Sequence, residues 1–64
     1  MKLKTRKILI LLAEKRMTKA MLAKNSGISR QNLCTILGRG TCAPITAGKL
    51  AAGLGVPVIE IVEE

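Results

Sequence analysis

Residues 18–37 read TKAMLAKNSGISRQNLCTIL, and the expected fold follows from this stretch. Thr18 is a favoured N-cap residue, and the good helix formers after it stop at Gly27, which can adopt the left-handed conformation that ends a helix. Ser29 can cap a second helix over residues 30–37. The stretch therefore predicts two short helices joined by a tight turn.

The apolar residues of this stretch have the spacing that two steeply crossing helices require. Ala23 lies where the crossing leaves no room for a longer side chain, and Leu33 and Ile36 anchor the second helix by its inner face. The outer face of that helix is polar and carries Arg30, Gln31, Asn32 and Thr35.

Short helices are also predicted on both sides of this stretch. Apolar residues spaced by three and four predict a first helix over residues 4–15. Gly38 and Gly40 are expected to break the third helix, and Thr46 to cap a fourth that ends near Leu54.

The apolar segment over residues 56–62 allows two structures. Pro57 favours a last short helix, whereas the β-branched residues would equally suit a strand, for which we expect no partner. The segment either covers the core or forms a two-fold contact. The sequence thus predicts an all-α fold, a compact bundle of about five short helices in one domain spanning residues 1–64.

The composition argues against an enzyme. A chain of 64 residues has a small core, and it contains no His, Asp, Phe, Tyr or Trp, so the commonest catalytic and zinc-binding side chains and the aromatic stacking platforms are missing. Cys34 and Cys42 cannot close a zinc site by themselves, and we interpret both as small filler residues. We expect no catalytic residue, no metal and no cofactor.

The charge is unevenly distributed. All eleven Lys and Arg residues lie in residues 1–49 with one Glu, giving +11 − 1 = +10, while residues 50–64 hold three Glu. Such a balance suits a phosphate backbone or an anionic membrane surface. The apolar run over residues 8–13 is too short for a signal sequence or a membrane span, so a cytoplasmic protein is expected. The cations at positions 2, 4, 6 and 7 form either a frayed tail or a phosphate-contacting arm.

With its flanks, the stretch 18–37 resembles the helix-turn-helix of the lambda-repressor-like (Cro/XRE-type) DNA-binding family. Residues 50–51 and 54–56, Leu-Ala and Leu-Gly-Val, are similar to that family's fourth helix and its exit. The resemblance implies a sequence-specific, double-stranded DNA-binding transcriptional regulator, a repressor that reads the major groove with the helix after Ser29. It implies base contacts from Arg30, Gln31, Asn32 and Thr35. It implies phosphate contacts from Lys19, Lys24, Ser29 and Arg39.

Three positions depart from the family's pattern. Many members begin the second helix with Gln, where this chain has Lys19, a residue that can still meet a phosphate. Many members also pair an Arg of the first helix with a Glu of the third, at the positions of Leu12 and Leu37 here. Because both charges are replaced together, we expect these leucines to pack on each other.

The resemblance also implies a partner and leaves alternatives. Members of this class commonly bind paired half-sites as dimers, so we expect a two-half-site operator and a weak homodimer or a dimer formed on DNA. The alternatives are a protein-interaction module or an antitoxin that retains the helix-turn-helix fold, and a membrane-active basic peptide, which would be helical only with lipid.

Overall fold

The computed structural model describes residues 1–63, in which four α-helices surround one core and two short strands close the ends of the chain. The strands are β1 (Lys2–Leu3) and β2 (Val62–Glu63), and a 3-10 turn spans Val58–Glu60. The helices are α1 (Thr5–Glu14), α2 (Lys19–Ser26), α3 (Arg30–Arg39) and α4 (Pro44–Leu54). The mostly helical, compact fold is confirmed, with four helices rather than five.

The predicted helix-turn-helix forms as its local signals indicate. The Thr18 hydroxyl accepts a hydrogen bond from the Met21 N–H at 3.1 Å, and the Ser29 hydroxyl accepts one from the Asn32 N–H at 3.1 Å. Gly27 follows α2 with φ of 70°, a conformation that side chains with a Cβ rarely adopt. Both caps and the turn therefore hold α3 at a fixed angle to α2.

Two helix boundaries differ from the sequence prediction. Gly38 does not break α3, which continues to Arg39. The helix ends only at Gly40, whose φ is 76°. α4 begins at Pro44 rather than after Thr46, because proline has no N–H to lose at the first helical position and its φ is already helical. The linker from Gly40 to Ala43 is correspondingly short.

The expectation that the last segment lacks a partner strand was wrong. β1 pairs with β2 in antiparallel register, Lys2 opposite Glu63 and Leu3 opposite Val62. The other edge of β1 meets the linker between α3 and α4, where the Leu3 N–H donates to the Gly40 carbonyl at 2.8 Å. The N-terminal cations are thus not on a frayed tail, because the backbone at Lys2 and Lys4 is bonded to neighbouring segments and Arg6 and Lys7 lie within α1.

Each helix and the C-terminal segment contributes one large, fully enclosed side chain to the core: Ile8, Leu22, Leu33, Leu50 and Ile61. Leu12 and Leu37 are also buried in this cluster, as their apolar character requires. Met21, by contrast, is about half exposed, at the start of α2.

α2 and α4 approach closely at one glycine. A Cβ at Gly53 would overlap the Ser26 hydroxyl and lie 3.1 Å from the Ser26 backbone nitrogen, whereas a Cβ at Gly48 would meet nothing within 4 Å. Close packing is therefore present at Gly53 and absent at Gly48. This contact fixes α4 against the helix-turn-helix.

Candidate nucleic-acid interface

The outer face of α3 carries the side chains expected to contact bases. Leu33 and Leu37 are buried against the core, and at 3.6 residues per turn Gln31 and Thr35 project from the opposite side. The Thr35 hydroxyl donates to the Gln31 backbone carbonyl at 3.0 Å, which leaves its lone pairs and methyl group free. The four residues of this face, all exposed, are Arg30, Gln31, Asn32 and Thr35.

The face has two unlike edges. On one edge, Asn32, Thr35 and Arg39 follow each other at spacings of three and four and line an open groove beside α4. Arg30 lies on the other edge, outside the groove, and Gln31 is also outside it. The structure thus divides the predicted base-contacting residues between a groove and an open helix surface.

The residues expected to contact phosphates are all exposed. Lys19 begins α2, Lys24 lies in its last turn, and Arg39 ends α3. Ser29 uses a hydroxyl lone pair to cap α3, so its hydroxyl proton is free to donate to another acceptor. The cations at the two helix C-termini also interact favourably with the helix dipoles.

No carboxylate neutralises these cations. Within residues 1–63 the one ion pair joins Lys7 to Glu60, on the side of the molecule where the termini meet. The hydrogen bond from Lys7, together with its charge, lowers the pKa of the Glu60 carboxyl. The surface around α3 therefore keeps its positive field, which attracts polyanions.

Two groove residues were missed by the sequence analysis. Thr46 and Lys49, one turn apart on α4, line the same groove as Asn32 and Arg39. Thr46 was interpreted as a helix cap, and Lys49 lies outside the helix-turn-helix stretch. Their position depends on how α4 packs across α2 and α3, which no local pattern in the sequence reports.

The two cysteines have different environments. Cys42 is half-buried and packs against the core, where burial raises the pKa of its thiol. Its predicted role as a filler residue agrees with this position. Cys34 is exposed on α3, so the same interpretation was wrong for it. The part of the chain that the structure describes holds no group of three or more potential metal ligands, and none of its helices is long and apolar enough to cross a membrane.

Comparison with known protein families gives one match. A family model described as a Cro/C1-type helix-turn-helix DNA-binding domain matches residues 7–63, nearly the whole chain. Neither the comparison with curated proteins nor that with solved structures gives a significant match.

Proposed function

Since this chain belongs to the Cro/C1-type helix-turn-helix DNA-binding domain family, we propose that it is a sequence-specific transcriptional regulator that inserts α3 into the major groove of double-stranded DNA. One observation carries the proposal. The outer face of α3 carries four exposed hydrogen-bonding side chains on a helix whose inner face is fixed by the buried Leu33 and Leu37. A rigid polar face of this kind suits the readout of base edges.

The chemistry of the face assigns a role to each side chain. The Arg30 guanidinium matches the O6 and N7 acceptors of guanine, and the Gln31 amide matches N6 and N7 of adenine. Asn32 can bind adenine in the same way. The Thr35 methyl group suits contact with the thymine methyl, because its hydroxyl proton is already used within the helix.

Phosphate contacts would position α3 without reading sequence. The proposed donors are all exposed: Lys19 and Lys24 of α2, Ser29 just before α3 and Arg39 at the end of α3. The backbone N–H groups in the first turns of α2 and α3 are further donors for phosphate oxygens. These contacts account for a salt-dependent affinity that is shared by all duplexes.

The proposed regulatory action is repression by occupancy of promoter DNA. Occupancy requires only that the bound protein exclude other proteins from the same DNA. The alternative, a protein-interaction module or an antitoxin with the same fold, predicts either no steep salt dependence or a bound protein partner.

We further propose a two-half-site operator, bound by a weak homodimer or by two copies that meet on DNA. Half-sites one helical turn apart place the two reading helices about 34 Å from each other. Exposed apolar side chains at Leu9, Ile10 and Ile59 offer surface for such a contact. Sedimentation at increasing concentration, with and without the operator, tests this: a strict monomer on a two-half-site duplex contradicts it.

The experiment that tests the proposed function is selection from random duplex DNA. Labelled DNA is retained on the protein at two salt concentrations and sequenced; the label is needed because the chain has no Trp or Tyr for absorbance. We expect a recurrent site with two half-sites. We also expect log K to fall linearly with log[salt], with a slope of about −0.9 per phosphate contacted. Failure to retain any duplex at low salt would contradict DNA binding.

A further inference from the structure

The linker between α3 and α4 has no cation of its own. Residues 40–43 read GTCA, so only Arg39, the last residue of α3, brings a charge to this end of the reading helix. A DNA backbone that passes the groove edge of α3 would meet few donors from the linker. Further donors would have to come from another part of the fold.

The groove beside α3 is lined by such donors. Most of its polar lining residues come from two helices, Asn32, Thr35 and Arg39 from α3 and Thr46 and Lys49 from α4, and Ser29, the N-cap of α3, completes them. Its two cations are both exposed, and no carboxylate lines it. A polyanion in this groove would meet charges of one sign together with neutral hydrogen-bond donors.

The helix that carries Lys49 is held rigidly. Leu50, the next residue, is fully enclosed in the core, as is Ala47, and α4 packs against α2 at Gly53. The Lys49 ammonium group therefore moves only through its own flexible side chain. A compact charge on such a side chain, fixed at its base, suits a phosphate oxygen.

We propose that Lys49 and Arg39 together bind the DNA backbone along the groove edge of α3, with the Thr46 hydroxyl as an additional donor. The inference rests on the proposed DNA binding and extends it to α4, outside the helix-turn-helix. The pair would supply the cations that the linker itself lacks. It carries no base specificity, because a lysine ammonium group on a phosphate contacts no base edge.

The test compares single variants on one selected duplex and on a scrambled duplex, each over a range of salt concentrations. Lys49→Ala removes the proposed contact, and Arg6→Ala is the matched control. Arg6 is also exposed but lines a different groove, to which neither α3 nor α4 contributes. Circular dichroism and thermal unfolding check that both variants fold.

We expect Lys49→Ala to weaken binding to both duplexes about tenfold at low salt, as for the loss of one charged hydrogen bond. The slope of log K against log[salt] should become shallower by about 0.9. Arg6→Ala should leave both quantities unchanged. Arg39→Ala should behave like Lys49→Ala. In the double variant Arg39→Ala/Lys49→Ala, the slope of log K against log[salt] should change by about twice as much as in either single variant.

Three results would overturn the inference. Wild-type affinity and slope in Lys49→Ala would show that the groove does not meet the backbone. An equal loss of affinity in Arg6→Ala would show that the effect of Lys49→Ala comes from net charge alone. A loss of affinity in Lys49→Ala confined to the selected duplex would show that Lys49 contacts bases. Absence of binding by the wild-type protein would instead overturn the proposed function itself, so the two failures are distinguishable.

Discussion

The helix-turn-helix side of the molecule and the side where the termini meet both carry cations, but they place them in different surroundings. On the terminal side Lys7 binds Glu60, and Lys2 lies opposite Glu63 in the two-stranded sheet. Around α3, no cation has a carboxylate partner within the described residues. Net charge therefore identifies a protein that attracts polyanions, while the position of its few carboxylates indicates which face does so.

The largest expected effect comes from a charge placed in the core between these two sides. Leu12→Arg places an unpaired cation of α1 in the core. The expected decrease in the free energy of unfolding, about 3–5 kcal/mol, is as large as the total stability of about 3–5 kcal/mol of a domain this small. We expect the variant to be unfolded at 25 °C by circular dichroism.

The double variant Leu12→Arg/Leu37→Glu tests whether these two side chains are neighbours. Both are buried in the same core cluster. If they pack on each other, the second change supplies a carboxylate to the first, and the helical signal should partly recover. A double variant as unfolded as either single one would contradict the predicted contact.

The two glycines of α4 give opposite and smaller effects. Gly53→Ala forces its new Cβ against Ser26, and we expect a loss of about 1–3 kcal/mol from overpacking. Gly48→Ala meets open space and should gain about 0.5–1 kcal/mol through better helix propensity. Urea unfolding of both variants checks this. Equal stabilisation by the two would show that α4 is not held closely against α2.

On the reading face, a base contact and a phosphate contact should separate by their specificity. Gln31→Ala should weaken binding to the selected duplex by about 1–3 kcal/mol and spare scrambled DNA, because only a base contact discriminates. Lys24→Ala should weaken both and make the salt slope shallower by about 0.9. Fluorescence anisotropy of labelled duplexes measures both. An equal loss of affinity for both duplexes in Gln31→Ala would show that Gln31 does not contact a base.

The smallest effect concerns the ion pair of the terminal side. Since Lys7 lowers the pKa of Glu60 in the folded protein, the carboxylate stabilises the fold above its unfolded-state pKa. That contribution is lost as the pH falls through the lowered pKa. Thermal unfolding of the wild type and of Glu60→Gln between pH 7 and pH 3 should show a small difference that disappears in acid. A difference that grows in acid would contradict the direction of the shift.

The same two sides differ in how well the sequence predicts them. Thr18, Gly27 and Ser29 act on backbone groups within three residues of themselves, so the helix-turn-helix and its exposed face could be derived locally. The β1–β2 pair joins residues about sixty positions apart, and a two-residue strand has no detectable period. The last segment was therefore assigned to a helix.

The candidate site shows the same division. The side chains on α3 follow from helical spacing, because the buried leucines fix which face points outward. Lys49 enters the site only because α4 packs against α2, with its close approach at Gly53, and this packing places Lys49 across the groove from α3. Tertiary packing thus adds to the site a residue that the motif does not contain.

The central claim, that DNA meets the α3 side and leaves the terminal side free, is tested most directly by NMR. Backbone amide shifts of the ¹⁵N-labelled protein are followed while the selected duplex is added. We predict the largest changes in α3, with further changes at Lys19 and Lys49, and on the terminal side only the smaller changes that a contact between two copies at Leu9, Ile10 and Ile59 would cause. Changes concentrated at residues 4–10 and 58–63, with α3 unperturbed, would contradict the account.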